Sequence, residues 1–393
     1  MTKLVFHLGD MKTGSTAIQT ALSSRSWTCA SVRLLYPHAS KLSHSPFAQS
    51  LLSRSDGSRT ENLAGEILAD IAATPADVAV ISAEHFENVD PVALKAALQK
   101  YMPEMLEDAR FIAYVRPHAE RFPSTYAERV KTGQFLGTLA ELQTVLHSRE
   151  TFVYTPRFLA WRAVFGAAFT LRPMIRDLLF RKDVVADFLH FALQTEDFTL
   201  TATPDANESL SLENTAILRQ LHLRLSEGQR RLQVYQSTVG RALARRMNDS
   251  PFRDGTRIGI HKALAEVVRD QYAGDAAALD AAFFTGTPMT DALNAAPAKA
   301  VEAAQSVRIE DHFTPREQFL INTFVDQTAV LINADPDFLA EKLRQDHRVK
   351  VIADDHQDAA AKPGHRAGAR GGGGKRKAGR AAAKRAMSAP PDE

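Results

Sequence analysis

Residues 4–19 read LVFHLGDMKTGSTAIQ, and their order decides the fold. The apolar residues Leu4, Val5, Phe6 and Leu8 have the character of a strand buried on both faces. The run stops at Gly9, and from about Ser15 the spacing turns helical, with Ala17, Ile18, Ala21 and Leu22 on one side. Between them lies a loop with Lys12, Thr13, Gly14, Ser15 and Thr16. A strand, a tight loop and a helix N-terminus aim unpaired backbone N–H groups and the positive end of the helix dipole at one point. That point suits a phosphate.

The order within the loop narrows the chemistry. The loop of nucleoside triphosphatases reads GxxxxGK[ST], with lysine after the second glycine. Here Lys12 precedes Gly14 and no such sequence follows. A second apolar run, residues 110–115 (RFIAYV), ends at Arg116-Pro117, and Pro117 fits the first turn of a helix, where its missing N–H costs nothing. That helix carries Arg121, Ser124 and Tyr126 and is expected to reach about Lys131, before Gly133. A third run, residues 77–82 (DVAVIS), is followed by Glu84 and His85. Three strands therefore lead into Lys12, Glu84 and Arg116, and open parallel α/β sheets bind ligands beyond the carboxyl ends of their strands.

Lysine followed by Thr-Gly-Ser-Thr resembles the 5′-phosphosulfate loop of sulfotransferases that use 3′-phosphoadenosine-5′-phosphosulfate (PAPS). A strand ending in Arg-Pro, with a serine eight residues after the arginine, resembles the 3′-phosphate site of the same family. The likeness runs through residues 3–135. It is weaker over residues 154–213, where TPRFLAWRAVFG and the run near Asn207 look like bacterial carbohydrate-type sulfotransferases. Met11 stands where the family often has proline, and Asp10 before it is unhelpful near anions unless its side chain turns away. The late Arg-Lys-Gly-x-x-Gly motif of soluble members is poorly matched by Arg253-Asp254-Gly255 and Gly259, which read as a helix-linking turn.

The resemblance implies that the backbone N–H groups of Thr13, Gly14, Ser15 and Thr16, with the Ser15 and Thr16 hydroxyls, hold the 5′-phosphate. Arg116 and Ser124 would hold the 3′-phosphate, through paired guanidinium donors and a hydroxyl. It also implies that Lys12 stabilises charge on the departing phosphate while a sulfuryl group passes in line to a hydroxyl or amine of a saccharide, glycolipid or other small acceptor. Glu84 is the expected base, with His85 its rival; on an extended segment the two would point opposite ways. PAPS is then the co-substrate, 3′-phosphoadenosine-5′-phosphate the product, and no metal is required. Two other classes stay open: a kinase with a degenerate loop, and a non-catalytic nucleotide- or polyanion-binding protein on a sulfotransferase fold.

Composition fits that reading. The 45% hydrophobic content supplies a core, and no apolar run approaches a membrane span, about 18 residues or more. With Cys29 alone there is no intrachain disulfide, and no signal peptide precedes the first strand, so a cytoplasmic location is expected. Cys29 reads as a small buried apolar residue and His7 as a core histidine. A boundary falls near Ile352. Residues 362–385 hold nine Lys/Arg and no acidic residue, and removing nine charges from the formal +2 leaves −7 for the rest. Residues 353–393 are therefore expected to form a disordered basic tail able to contact a polyanion: nucleic acid, an acidic glycan or an anionic membrane surface.

The remainder reads as a fourth strand at 169–172 and helices at 139–146, 182–193, 211–247, 260–272, 315–333 and 337–344. The alanine-rich stretch 273–304 is ambiguous. Strands alternating with helices in the first 175 residues predict an α/β fold. It would be a P-loop-like parallel sheet flanked by helices, with a helical C-terminal half.

Overall fold

The computed structural model describes residues 2–38, 42–52, 57–201, 210–227, 233–249, 255–335, 337–338 and 341–342. The strands are β1 (Lys3–His7), β2 (Trp27–Thr28), β3 (Leu34–Leu35), β4 (Val78–Ser82), β5 (Arg110–Val115), β6 (Phe169–Pro173) and β7 (Thr199–Leu200). β3, β4, β1, β5 and β6 lie in that order in a parallel sheet, while β2 and β7 form a small antiparallel ladder. β1 is thus central. Its His7 is in register with Ser82 of β4 on one side and Ile112 of β5 on the other.

The first helices are α1 (Ser15–Ser24), α2 (Ser45–Leu52), α3 (Ser58–Ala73), α4 (Pro91–Tyr101), α5 (Pro103–Leu106), α6 (His118–Lys131) and α7 (Leu139–Ser148). They are followed by α8 (Thr155–Phe165), α9 (Val184–Leu193), α10 (Leu212–Ser226), α11 (Gln233–Asn248), α12 (Lys262–Phe283), α13 (Pro288–Lys299) and α14 (Pro315–Ala334). Strand residues alternate between two cores. Leu4, Phe6, Ile81, Phe111 and Ala113 pack with Phe122 of α6, Phe158 of α8 and Leu264 of α12. Val5, Val80, Ile112 and Tyr114 pack with Ile18 of α1 and Phe188 and Leu189 of α9. Burial on both faces explains why the strands read as continuous apolar runs rather than alternating ones.

The helices depart from expectation in two places. The segment 211–247 forms two helices, α10 and α11, rather than one. The helix begun near 260 continues through the alanines to Phe283, as the highest helix propensity dictates, and Gly286 (φ +79°) and Pro288 start the next. α10, α11 and α14 share a satellite core of Leu221, Leu225, Val239, Val325 and Ile332. His7 is fully buried with Nδ1 2.8 Å from Ser82 Oγ. Cys29 is only half-buried, because β2 lies in the small outer ladder rather than the main sheet. Residue 352, the tail 353–393 and Asn207 lie outside the described residues.

Candidate active site

Because β4, β1 and β5 are neighbours, the segments carrying Glu84, Lys12 and Arg116 leave one edge of the sheet side by side. The loop after β1 stays tied to both flanking strands. Leu8 N–H donates to Ile112 O at 2.8 Å, Tyr114 N–H to Gly9 O at 3.2 Å, and Ala83 N–H to His7 O at 3.2 Å. Gly9 (φ +86°) must be glycine, since a Cβ there would lie 2.9 Å from Glu84 Cα and 3.0 Å from its carbonyl oxygen. Gly14 (φ +83°) precedes α1 as its N-cap and supplies no capping side chain, so the first-turn N–H groups of α1 are left for a ligand.

Asp10 is turned away from that opening. Its carboxylate is 1% exposed and accepts from Arg157 Nη1 at 2.5 Å and Nη2 at 2.7 Å, with Arg121 Nη1 at 3.4 Å. Arg121 Nη2 donates to Glu87 Oε1 at 3.0 Å, and Glu87 Oε2 accepts Met11 N–H at 3.0 Å. Burial and the nearby Asp10 charge push the Glu87 carboxyl up. Two carboxylates and two guanidiniums thus form a neutral buried base under the loop. The Asp10 carbonyl accepts from Thr13 Oγ1 at 2.7 Å and Ser15 Oγ at 2.9 Å. The hydroxyl protons of Thr13 and Ser15 are therefore used inside the loop. The Ser15 hydroxyl, expected to meet phosphate, is thus committed to the Asp10 carbonyl, which leaves the backbone N–H groups and the Thr16 hydroxyl as the candidate donors.

Lys12 has φ +64°, a left-handed conformation uncommon outside glycine. Its Nζ lies 3.4 Å from Glu128 Oε2 on α6. Burial lowers the Lys12 pKa; Glu128 raises it, while Lys131 and Arg116 push it further down. Glu128 also pairs with Lys131 at 2.5 Å and Arg241 of α11 at 3.6 Å. Against the opposing effect of burial, Lys131 and Lys12 hold the Glu128 carboxyl below its ordinary value.

Arg116 follows β5, and among the described residues its guanidinium makes no ion pair and its buried Nε has no hydrogen-bond partner. Burial lowers its pKa. It opens onto a cavity of about 650 Å³ that Ser124 also lines. Gly255, Arg257, Ile258 and Gly259 form another wall, with Lys299 at the end of α13. The segment after 254, read from sequence as a helix-linking turn, is thus a wall of the cavity; Arg253 and Asp254 lie outside the described residues. Lys12 does not line this cavity; it meets α6 at Glu128, one turn beyond Ser124.

Glu84 and His85 begin a 3₁₀ turn, Glu84–Asn88, rather than an extended segment, so successive side chains are not opposed. His85 Nδ1 is 2.9 Å from Ser45 Oγ. Sequence reasoning missed Arg121, Arg157, Glu87, Glu128, Arg257 and Lys299 as parts of this site. Helical spacing could have flagged Glu128, four residues after Ser124. No local signal ties Arg157 to Asp10, because they meet only through the tertiary fold.

A ligand with well-separated anionic groups fits these residues. A half-buried guanidinium with no ion pair among the described residues, two further cations at an exposed rim and an uncapped helix N-terminus all favour negative charge, opposed by Glu120 in the cavity wall and by Glu128.

No protein-family model and no curated protein matches the chain. Among solved structures the chain is similar to a sulfotransferase from Alicyclobacillus acidocaldarius, at 14% identity and a TM-score of 0.44, over 74% of this chain and 99% of that one. At that distance the likeness says nothing about donor, acceptor or catalytic residues.

Proposed function

We propose that the protein is a PAPS-dependent sulfotransferase. It would move a sulfuryl group to a hydroxyl or amine of a saccharide, glycolipid or other small acceptor. The observation that carries this reading is Arg116: a half-buried cation without an ion pair among the described residues, lining a cavity shared with Ser124, just after the strand next to the Lys12 loop. Arg116 and Ser124 would hold the 3′-phosphate. The N–H groups of Thr13, Gly14, Ser15 and Thr16, with the Thr16 hydroxyl, would hold the 5′-phosphate.

Lys12 supplies positive charge where the departing phosphate gains negative charge, and a preorganised donor of this sort is worth about 10²–10³ in rate. Glu84 is the favoured base, since its carboxylate has no ion pair or hydrogen bond among the described residues, whereas His85 is engaged by Ser45. General-base assistance contributes about 10²–10⁴. The basic tail is read as an electrostatic contact to a polyanion, on its nine Lys/Arg within residues 362–385.

The test is calorimetric titration with 3′-phosphoadenosine-5′-phosphate in EDTA, comparing wild type with Arg116→Ala. Metal-free binding that weakens at least tenfold in the variant, about 1.4 kcal/mol, supports the site. No binding to folded wild type would remove the reading.

A further inference from the structure

We infer that Glu128 is a positioning residue for Lys12, a resting partner whose place the donor's phosphate oxygens take on binding. The inference rests on the sulfotransferase reading. Three carboxylates lie at the loop: Asp10 and Glu87 belong to the buried base with Arg121 and Arg157, and Glu128 is held differently. Asp10 is 1% exposed and gripped by both terminal nitrogens of Arg157, so it cannot exchange partners without stranding a buried charge.

Glu128 keeps 26% of its side chain exposed and has three cations around it: Lys12 at 3.4 Å, Lys131 at 2.5 Å and Arg241 at 3.6 Å. When Lys12 leaves, Lys131 and Arg241 still compensate the carboxylate. Release of the lysine therefore leaves no unpaired buried ion.

Position supports the exchange. Ser124 lines the cavity, and Glu128 is one helical turn further along α6, on the same face. A polyanion seated on Arg116 and Ser124 thus arrives beside the carboxylate that holds Lys12, and the two anions compete for one ammonium. The Lys12 side chain is 32% exposed, so its contact with Glu128 is open to solvent and to an arriving anion.

Glu128→Gln keeps the shape and removes the competitor, and Glu128→Asp keeps the charge on a shorter stem. Reductive methylation of Lys12, followed by mass spectrometry across a range of pH, reads its free-amine fraction without any turnover. In the absence of nucleotide, Glu128→Gln should methylate Lys12 at least threefold faster at pH 8, with its titration moved to lower pH. Glu128→Asp should fall between it and wild type. With saturating 3′-phosphoadenosine-5′-phosphate all three should be protected to one level, and Glu128→Gln should bind that nucleotide at least threefold tighter.

Unchanged labelling and affinity in a Glu128→Gln protein that still binds the nucleotide would overturn the role of Glu128 alone. Failure of wild type to bind the nucleotide would overturn the donor reading and this inference with it. A merely structural role would alter the melting temperature but not the Lys12 titration.

Discussion

Replacing Arg157 by methionine tests whether the buried base under the loop sets its shape. Methionine keeps an unbranched apolar stem but removes both donors to Asp10 and the guanidinium that lies over Phe158, its carbon 4.4 Å from the ring centroid. Asp10 would keep only Arg121 Nη1, at 3.4 Å. Breaking a buried ion pair from one side costs about 3–5 kcal/mol, and the surviving Arg121 contact puts the expected loss near the lower end, about 3 kcal/mol. Urea unfolding followed through the two tryptophans measures it.

Asp10→Asn alone should also destabilise, while the double variant should recover at least about 2 kcal/mol relative to the sum of the single changes. Because the Asp10 carbonyl anchors the hydroxyls of Thr13 and Ser15, nucleotide affinity should drop about tenfold alongside stability. A loss under about 1 kcal/mol with additive single effects would refute the claim that this pair holds the loop.

Acidification gives a second test. Burial lowers the His7 pKa from 6.5 to about 3, so between those values the unfolded chain takes up a proton that the folded chain refuses. Stability should therefore fall as pH drops, by about 2 kcal/mol from pH 7.5 to 5, and His7→Asn should flatten that dependence; equal slopes in the two proteins would sink this account. The two loop glycines should differ in kind. Gly9→Ala meets the Glu84 backbone, which cannot yield, whereas Gly14→Ala meets Val184 Cγ1 at 2.9 Å, which a Val184→Ala change relieves. Both carry a left-handed penalty of about 1–2 kcal/mol. Thermal melts of the single and paired variants should show partial rescue for Gly14→Ala only, and similar losses with equal rescue would contradict the geometry.

The sheet was legible because its strands are buried on both faces: LVFHL, VAVIS and RFIAYV announce themselves as apolar runs without any partner in view. Their ends carry Lys12, Glu84 and Arg116, and their adjacency follows only from the order of strands in the sheet. What the sequence hid were the contacts that span it. The Asp10–Arg157 pair joins residues 147 apart, and nothing near either one marks it. The stretch around Gly259 reads in sequence as a helix-linking turn, yet Gly255, Arg257, Ile258 and Gly259 line the same cavity as Arg116 and Ser124. VIS reads as strand and predicts an extended Glu84; the chain instead tightens into a 3₁₀ turn, where Phe86 enters the core.

The central position of β1 also sets an order in time. On the ribosome the first strand emerges with both edges bare, and its partner at Ser82 is 75 residues away from His7. Arg157, the guanidinium that neutralises Asp10, follows 147 residues later, which at about 5–20 residues per second is roughly 7 to 30 s. Throughout that interval an apolar strand and an uncompensated carboxylate wait in the nascent chain. The loop after β1 is made well before the residue that neutralises it, so its assembly is gated by the arrival of α8.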